Sequence, residues 1–144
     1  MLKTASVAAF VLMVAGIVGL FYARALFARH PVTIAVQVAA VLLMVAARIT
    51  FGRRSFHAAA NPTAGGIVST GPYAYLRHPI YAAAIYFVWA GALDHVSWMN
   101  AGWAALLTVG AFMRMLLEER MLVERYPEYR EYMTRTRRIV PFIY

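Results

Sequence analysis

From Ala5 to Phe27 the chain is almost wholly apolar and carries a single charge, Arg24. As a helix rising 1.5 Å per residue, such a run spans roughly 35 Å, enough to cross a ~30 Å hydrocarbon layer with some tilt. Lys3 ahead of it and Ala23-Arg24-Ala25 at its end have the look of a signal peptide. The run is longer than an h-region of about 7–15 residues, so a retained helix is the better reading. Arg29-His30-Pro31 then makes a short turn, with Pro31 suited to the first position of a second span over 32–51. Two such runs in succession leave little room for a water-coated globule. With 62% hydrophobic and 14% charged residues, against about 25% charged in soluble domains, the rest of the chain agrees.

The sequence therefore predicts one all-α integral membrane domain over residues 1–144, with about four transmembrane helices. The third and fourth spans are placed at 79–93 and 98–117, split by the polar break Asp94-His95-Val96-Ser97. Both are short for full spans, so a tight helical hairpin is expected. Residues 52–78 form a connection long enough to suggest function, with turn signals at Asn61-Pro62 and Gly65-Gly66. Residues 120–144 hold six arginines and three acids and are read as a C-terminal amphipathic segment forming an interfacial helix, with Pro127 starting or kinking it.

Charge placement sets orientation. The net charge is +8, and twelve of the fourteen basic residues fall on one side of a four-span arrangement, leaving only Arg24 and Arg29 on the other. The positive-inside rule then places both termini in the cytoplasm. Basic residues at span ends contact anionic headgroups, so no nucleic-acid partner is expected. Cysteine is absent and His30, His57, His78 and His95 are scattered. Disulfides and thiolate metal sites are excluded, and no metal centre is expected.

On the predicted cytoplasmic face, one there-and-back hairpin brings Tyr73–Tyr81 level with Arg114–Glu119. Pro79 opens a helix whose unpaired N–H groups and dipole favour an anion, and Arg77 and His78 strengthen that bias. Taken singly, Arg77 reads better as a headgroup anchor and His78 as an interfacial cap. Arg114 and Glu118 share a helix face at i,i+4. The adjacent carboxylates Glu118 and Glu119, beside an anionic leaflet, call for a cationic partner. Tyr73, Tyr75 and Tyr81 offer ring faces to a cation or form an aromatic belt, the belt being the better reading for Tyr75.

Taken together, Gly71-Pro72-Tyr73 leading into Leu76-Arg77-His78-Pro79-Ile80-Tyr81, then Arg114-x-x-x-Glu118-Glu119, Tyr126-Pro127-Glu128-Tyr129-Arg130-Glu131-Tyr132 and Arg137-Arg138-Ile139-Val140-Pro141-Phe142, resemble the isoprenylcysteine carboxyl methyltransferase family. Membrane phospholipid N-methyltransferases share much of this pattern. The resemblance covers about residues 65–143. It implies S-adenosyl-L-methionine as cofactor, in a pocket lined by Gly65, Gly66, Ile67, Val68, Tyr73, His78, Pro79, Ile80 and Tyr81. Glu118 completes that pocket, and Arg114 faces the methyl acceptor. Gly65 departs from the histidine that eukaryotic members tend to carry, and larger relatives have more spans.

The implied activity is carboxyl O-methylation of a lipid-like or prenylcysteine-like acceptor. Phospholipid amine N-methylation and small-thiol S-methylation stay open; for an amine, Glu119 or Tyr81 is the candidate base. The implied partners are a lipophilic small-molecule or lipid acceptor, membrane lipids and, for so small a bundle, a second copy in a homodimer. From another class, a non-catalytic four-span protein or small transporter competes. A transporter should carry ionisable residues mid-membrane, whereas here the apolar cores contain no acid.

Overall fold

A computed structural model describes residues 2–52 and 67–141. Among them are five α-helices: α1 (Leu2–Tyr22), α2 (Pro31–Phe51), α3 (Pro79–Asp94), α4 (Trp98–Arg125) and α5 (Tyr129–Arg135). No strand occurs among the described residues; the one β-bridge joins Leu76 to Arg137. By length and composition α1, α2 and α4 can each cross a membrane, and α3 is a shorter apolar helix. The chain is an all-α membrane protein whose α3 and α4 form the expected hairpin.

Helix ends follow local chemistry. α1 stops at Tyr22, before the predicted limit of Phe27. The Arg24 N–H donates to Phe21 O and the Ala25 N–H to Leu20 O. Arg24, at φ 55°, takes the left-handed position that closes this motif. Pro31 does open α2, capped by the His30 ring, which accepts from the Val32 N–H. α4 runs on past Leu117 to Arg125, because Glu, Arg, Met and Leu keep favouring helix after the apolar stretch ends. It stops where Pro127 holds Tyr126 extended. In place of one amphipathic helix over 120–144, the polar chain divides between the end of α4, the seven-residue α5 and a return segment.

α1 packs chiefly against α4, α2 against α3, and the hairpin joins the two pairs, giving the lateral order α1, α4, α3, α2. Small residues permit the α1–α4 contact. A Cβ on Gly110 would stand 2.5 Å from Ala9 O, and one on Gly16 would stand 2.6 Å from Trp103 O. Such backbone approach is how helices associate in lipid, where apolar burial gives no drive. The α1 N-terminal half therefore lies beside the C-terminal half of α4. Across the bundle, Gln37 accepts from the Ala28 N–H and donates to Leu26 O and Phe87 O. At that same far end, Asp94 accepts from the N–H groups of Arg29 and His30 and from the Thr33 hydroxyl. These contacts fasten the hairpin to the start of α2.

Candidate active site

At the other end, the chain before α3 makes a 3-10 turn over Gly71–Ala74 and then runs extended into His78. The return segment pairs with it. The Arg77 and His78 N–H groups donate to Arg137 O and Arg138 O, and the Arg137 N–H donates to Tyr75 O. From α5, the Tyr132 hydroxyl donates to Tyr73 O at 2.7 Å. The polar C-terminal chain thus braces the stretch that opens α3, an arrangement different from a free interfacial helix.

Two arginines and a histidine converge on Glu119, which is buried. Oε1 accepts from Arg77 Nε at 2.9 Å and lies 3.2 Å from His78 Nε2, while Oε2 accepts from Arg138 Nη2 at 3.0 Å. Arg77 also donates to Met133 O and Thr136 O. His78 is the N-cap residue of α3, yet its side chain makes no capping bond. Its ring faces the two glutamates instead, with Nδ1 3.9 Å from Glu118 Oε2. Arg77 is therefore no headgroup anchor, since its side chain is only 9% exposed.

Glu118 is built differently. Its side chain is 23% exposed against 6% for Glu119. The Tyr81 hydroxyl donates to Oε1, Arg114 Nε donates to the Tyr81 oxygen at 2.8 Å, and Arg114 Nη2 lies 3.4 Å from Oε1. Guanidinium, phenol and carboxylate close a triangle across α3 and α4, made possible because Arg114 and Glu118 are one turn apart. Arg114 is 4% exposed, with Cζ 5.4 Å from the Phe10 ring centroid and 5.9 Å from that of Tyr81.

Of the other predicted residues, Pro79 is buried and Ile80 partly so at the start of α3. Ile67 and Val68 line a cleft of about 490 Å³ with Thr50, Phe51, Gly52, Ser69 and Thr70. Tyr73 borders this region, its ring 5.4 Å from that of Phe51. Burial, together with Tyr132 and Glu118, pushes the Tyr73 hydroxyl pKa well above the usual tyrosine range, while Arg48 opposes the shift. Gly65 and Gly66 lie outside the described residues. Tyr75, read as a belt residue, is 63% exposed. No cluster of metal-ligating side chains occurs among the described residues.

Sequence reasoning passed over Arg138 and Phe10 as site residues and gave Arg77 no specific partner. For Arg138 a signal existed, since two adjacent carboxylates at the end of an apolar span call for more than one cationic partner, and Arg137-Arg138 lies close by in the sequence. For Phe10 there was none: a phenylalanine in an apolar span looks like every other.

Comparison with known proteins follows the same stretch of chain. The family profile described as phospholipid methyltransferase matches residues 49–129. A methanethiol S-methyltransferase 1 from Bradyrhizobium diazoefficiens is 36% identical over 74 residues, which cover 49% of this chain and 24% of that protein. The chain thus matches about a quarter of that relative's length. No solved structure matches.

Proposed function

The chain belongs to the phospholipid methyltransferase family, and from that premise we propose that it is an S-adenosylmethionine-dependent membrane methyltransferase acting on an anionic acceptor with an apolar body. The observation that carries this reading is the unequal state of two adjacent carboxylates. Glu119 is enclosed by Arg77, His78 and Arg138, whereas Glu118 keeps an exposed portion and is tied to Tyr81 and Arg114. One acid is structural and the other is offered to a ligand.

The donor set suits the cofactor's chemistry. Glu118 suits its ammonium or its ribose hydroxyls, and the rings of Tyr73 and Tyr81 suit a cation. Backbone N–H groups at the start of α3, those of Ile80 and Tyr81 after the donor-less Pro79, suit its carboxylate. The cleft at Ile67 and Val68 beside Phe51, which Gly65 and Gly66 adjoin in sequence, suits an adenine. Within this division His78 acts by holding the two glutamates apart and oriented. The bound cofactor supplies an electrophilic methyl group.

Arg114 positions the acceptor. A carboxylate is already ionised at pH 7 and needs no base, so the chain's work is to bind, orient and exclude water. The favoured acceptor is a carboxylate on a lipid-like or prenylcysteine-like body reached from the bilayer. A thiolate is the second reading, favoured by the name of the Bradyrhizobium relative; a guanidinium beside a thiol lowers its pKa. The site end of the bundle, with both termini, is assigned to the cytoplasm by the distribution of basic residues.

The test is binding and product analysis on the purified full chain in nanodiscs. S-adenosylmethionine titrated by calorimetry should bind, and label from its methyl group should appear in an ester or a thioether. A folded protein that binds no cofactor would end this reading. Because the chain has no cysteine, a single Arg130→Cys reporter should react with an impermeant maleimide only from the cytoplasmic side.

A further inference from the structure

The surroundings of Arg114 carry an inference about acceptor choice that rests on the role just proposed for this residue. On one side the guanidinium meets Tyr81, whose hydroxyl accepts from Arg114 Nε and donates to Glu118. That ring is held through its hydroxyl by two hydrogen bonds. On the other side Arg114 meets Phe10 of α1, with 5.4 Å between Cζ and the ring centroid. Phe10 is 39% exposed on a helix whose outer face, including Val7, Val11 and Val14, is apolar and exposed. The Phe10 ring thus stands between a buried cation and the lipid.

This contact depends on the approach of α1 to α4. Gly110 lies one turn before Arg114, and its missing side chain lets Ala9 O, Met13 and Leu12 close upon it. The same approach sets Phe10 over the next turn of α4. A phenyl ring has no hydrogen bond to break and turns about two torsions, so its motion costs less than withdrawing Tyr81.

We propose that Phe10 is a specificity-determining residue, the lipid-facing cover over Arg114 whose displacement admits the acceptor and whose bulk limits the acceptor's size. Attraction between the cation and the ring keeps the cover closed between turnovers. A larger acceptor must displace the ring further, so the cover selects against branching or width near the reacting group.

Two readouts on the full chain in nanodiscs test this. The first does not depend on methyl transfer: phenylglyoxal, a membrane-permeant arginine reagent, is applied and its adduct at Arg114 followed by mass spectrometry. Phe10→Ala should raise the labelling rate at Arg114 at least fivefold and Phe10→Trp should lower it. Phe21→Ala, at an exposed phenylalanine further along α1, should leave the rate unchanged. The second is the ratio of kcat/KM for a bulky acceptor to that for a slim one, 2-phenylbutanoate against butanoate, with the matching thiols run in parallel. Phe10→Ala should raise that ratio about tenfold.

Equal Arg114 labelling in wild type, Phe10→Ala and Phe10→Trp would overturn the cover, whatever the acceptor. Faster labelling supports it even if none of these acceptors is methylated, and in that case the proposed acceptor class is what fails. A changed label with an unchanged acceptor ratio would overturn the selectivity role.

Discussion

Arg138 lays its guanidinium against Glu119, with Nε 3.1 Å and Nη2 3.0 Å from the same carboxylate oxygen, Oε2. One residue belongs to the return segment after α5 and the other to the middle of the polar half of α4. Their pairing brings the C-terminal chain to the α3 opening, where Arg77 and His78 share the same acid. Removing Glu119 leaves the Arg77 and Arg138 guanidinium groups together without their counterion. Breaking a buried pair by deleting one partner costs about 3–5 kcal/mol, and Glu119→Ala should destabilise by about that amount. Denaturant unfolding in detergent micelles checks it; an unchanged midpoint would show that the cluster contributes no stability.

Glu118→Gln should behave in the opposite way. The amide still accepts from the Tyr81 hydroxyl, so stability should stay within about 1 kcal/mol of wild type, one ordinary hydrogen bond. Affinity for S-adenosylmethionine should fall at least tenfold, about 1.4 kcal/mol. Calorimetry on the two variants side by side decides whether these neighbouring acids divide their roles as described. Equal loss of cofactor affinity and stability in both would refute that division.

Tyr81→Phe removes the oxygen that accepts from Arg114 Nε. Arg114 then loses the group that fixes its orientation, and turnover should drop by about 10- to 100-fold, the scale at which misplacement is felt. Cofactor affinity should change less than in Glu118→Gln. Steady-state rates paired with binding titrations separate the two effects. If the cofactor were lost first, Tyr81 would belong to its pocket more than to the acceptor side.

Alkaline pH should loosen the C-terminal brace. Burial pushes the Tyr132 hydroxyl up to about 12, with Arg77 and a hydrogen bond to Thr136 acting against the shift. Burial raises Tyr129 and Tyr73 as well. An unfolded tyrosine loses its proton near pH 10, so between about pH 10 and 12 the folded chain holds more protons and stability falls as pH rises. Tyr132 alone contributes a loss on the order of 2 kcal/mol across that window, and none below it. Thermal unfolding as a function of pH, repeated on Tyr132→Phe, should show a flatter alkaline limb in the variant.

Gly110→Val tests the approach of α1 to α4. The added atoms meet Ala9 O, Met13 and Leu12, and overpacking of this kind costs about 1–3 kcal/mol. Unfolding measurements should show that cost. Crosslinking between cysteines introduced at Phe10 and Arg114 should become slower than in the same pair with Gly110 intact.

Long apolar runs made the helical membrane architecture legible, because that property depends on local composition. Pro31 and Pro79 marked helix starts for the same reason. Helix ends were less legible. Arg24 closes α1 through a left-handed backbone, which favours glycine and is seldom expected of arginine. The i,i+4 spacing of Arg114 and Glu118 showed that they share a face, but nothing in it revealed Tyr81 as their link. The convergence of Arg77, His78 and Arg138 on Glu119 joins three chain segments, and such pairings depend on tertiary contact. The direction of Arg138 followed from the bridge between Leu76 and Arg137, which no hydropathy pattern encodes.

The lateral order α1, α4, α3, α2 bears on how the protein is made. Of these four helices α1 and α2 are made before the other two, yet they stand at the two flanks and pack chiefly on helices that follow them. They must wait in the bilayer, with lipid in place of their partners, until the hairpin slots between them. The Arg114 triangle belongs to the hairpin itself, whereas the Phe10 ring reaches Arg114 only at that step, and the Glu119 cluster forms only after the C-terminal chain has returned. Assembly of the Glu119 cluster therefore follows the making of all four long helices, so a chain interrupted before α5 would insert in the membrane without acquiring it.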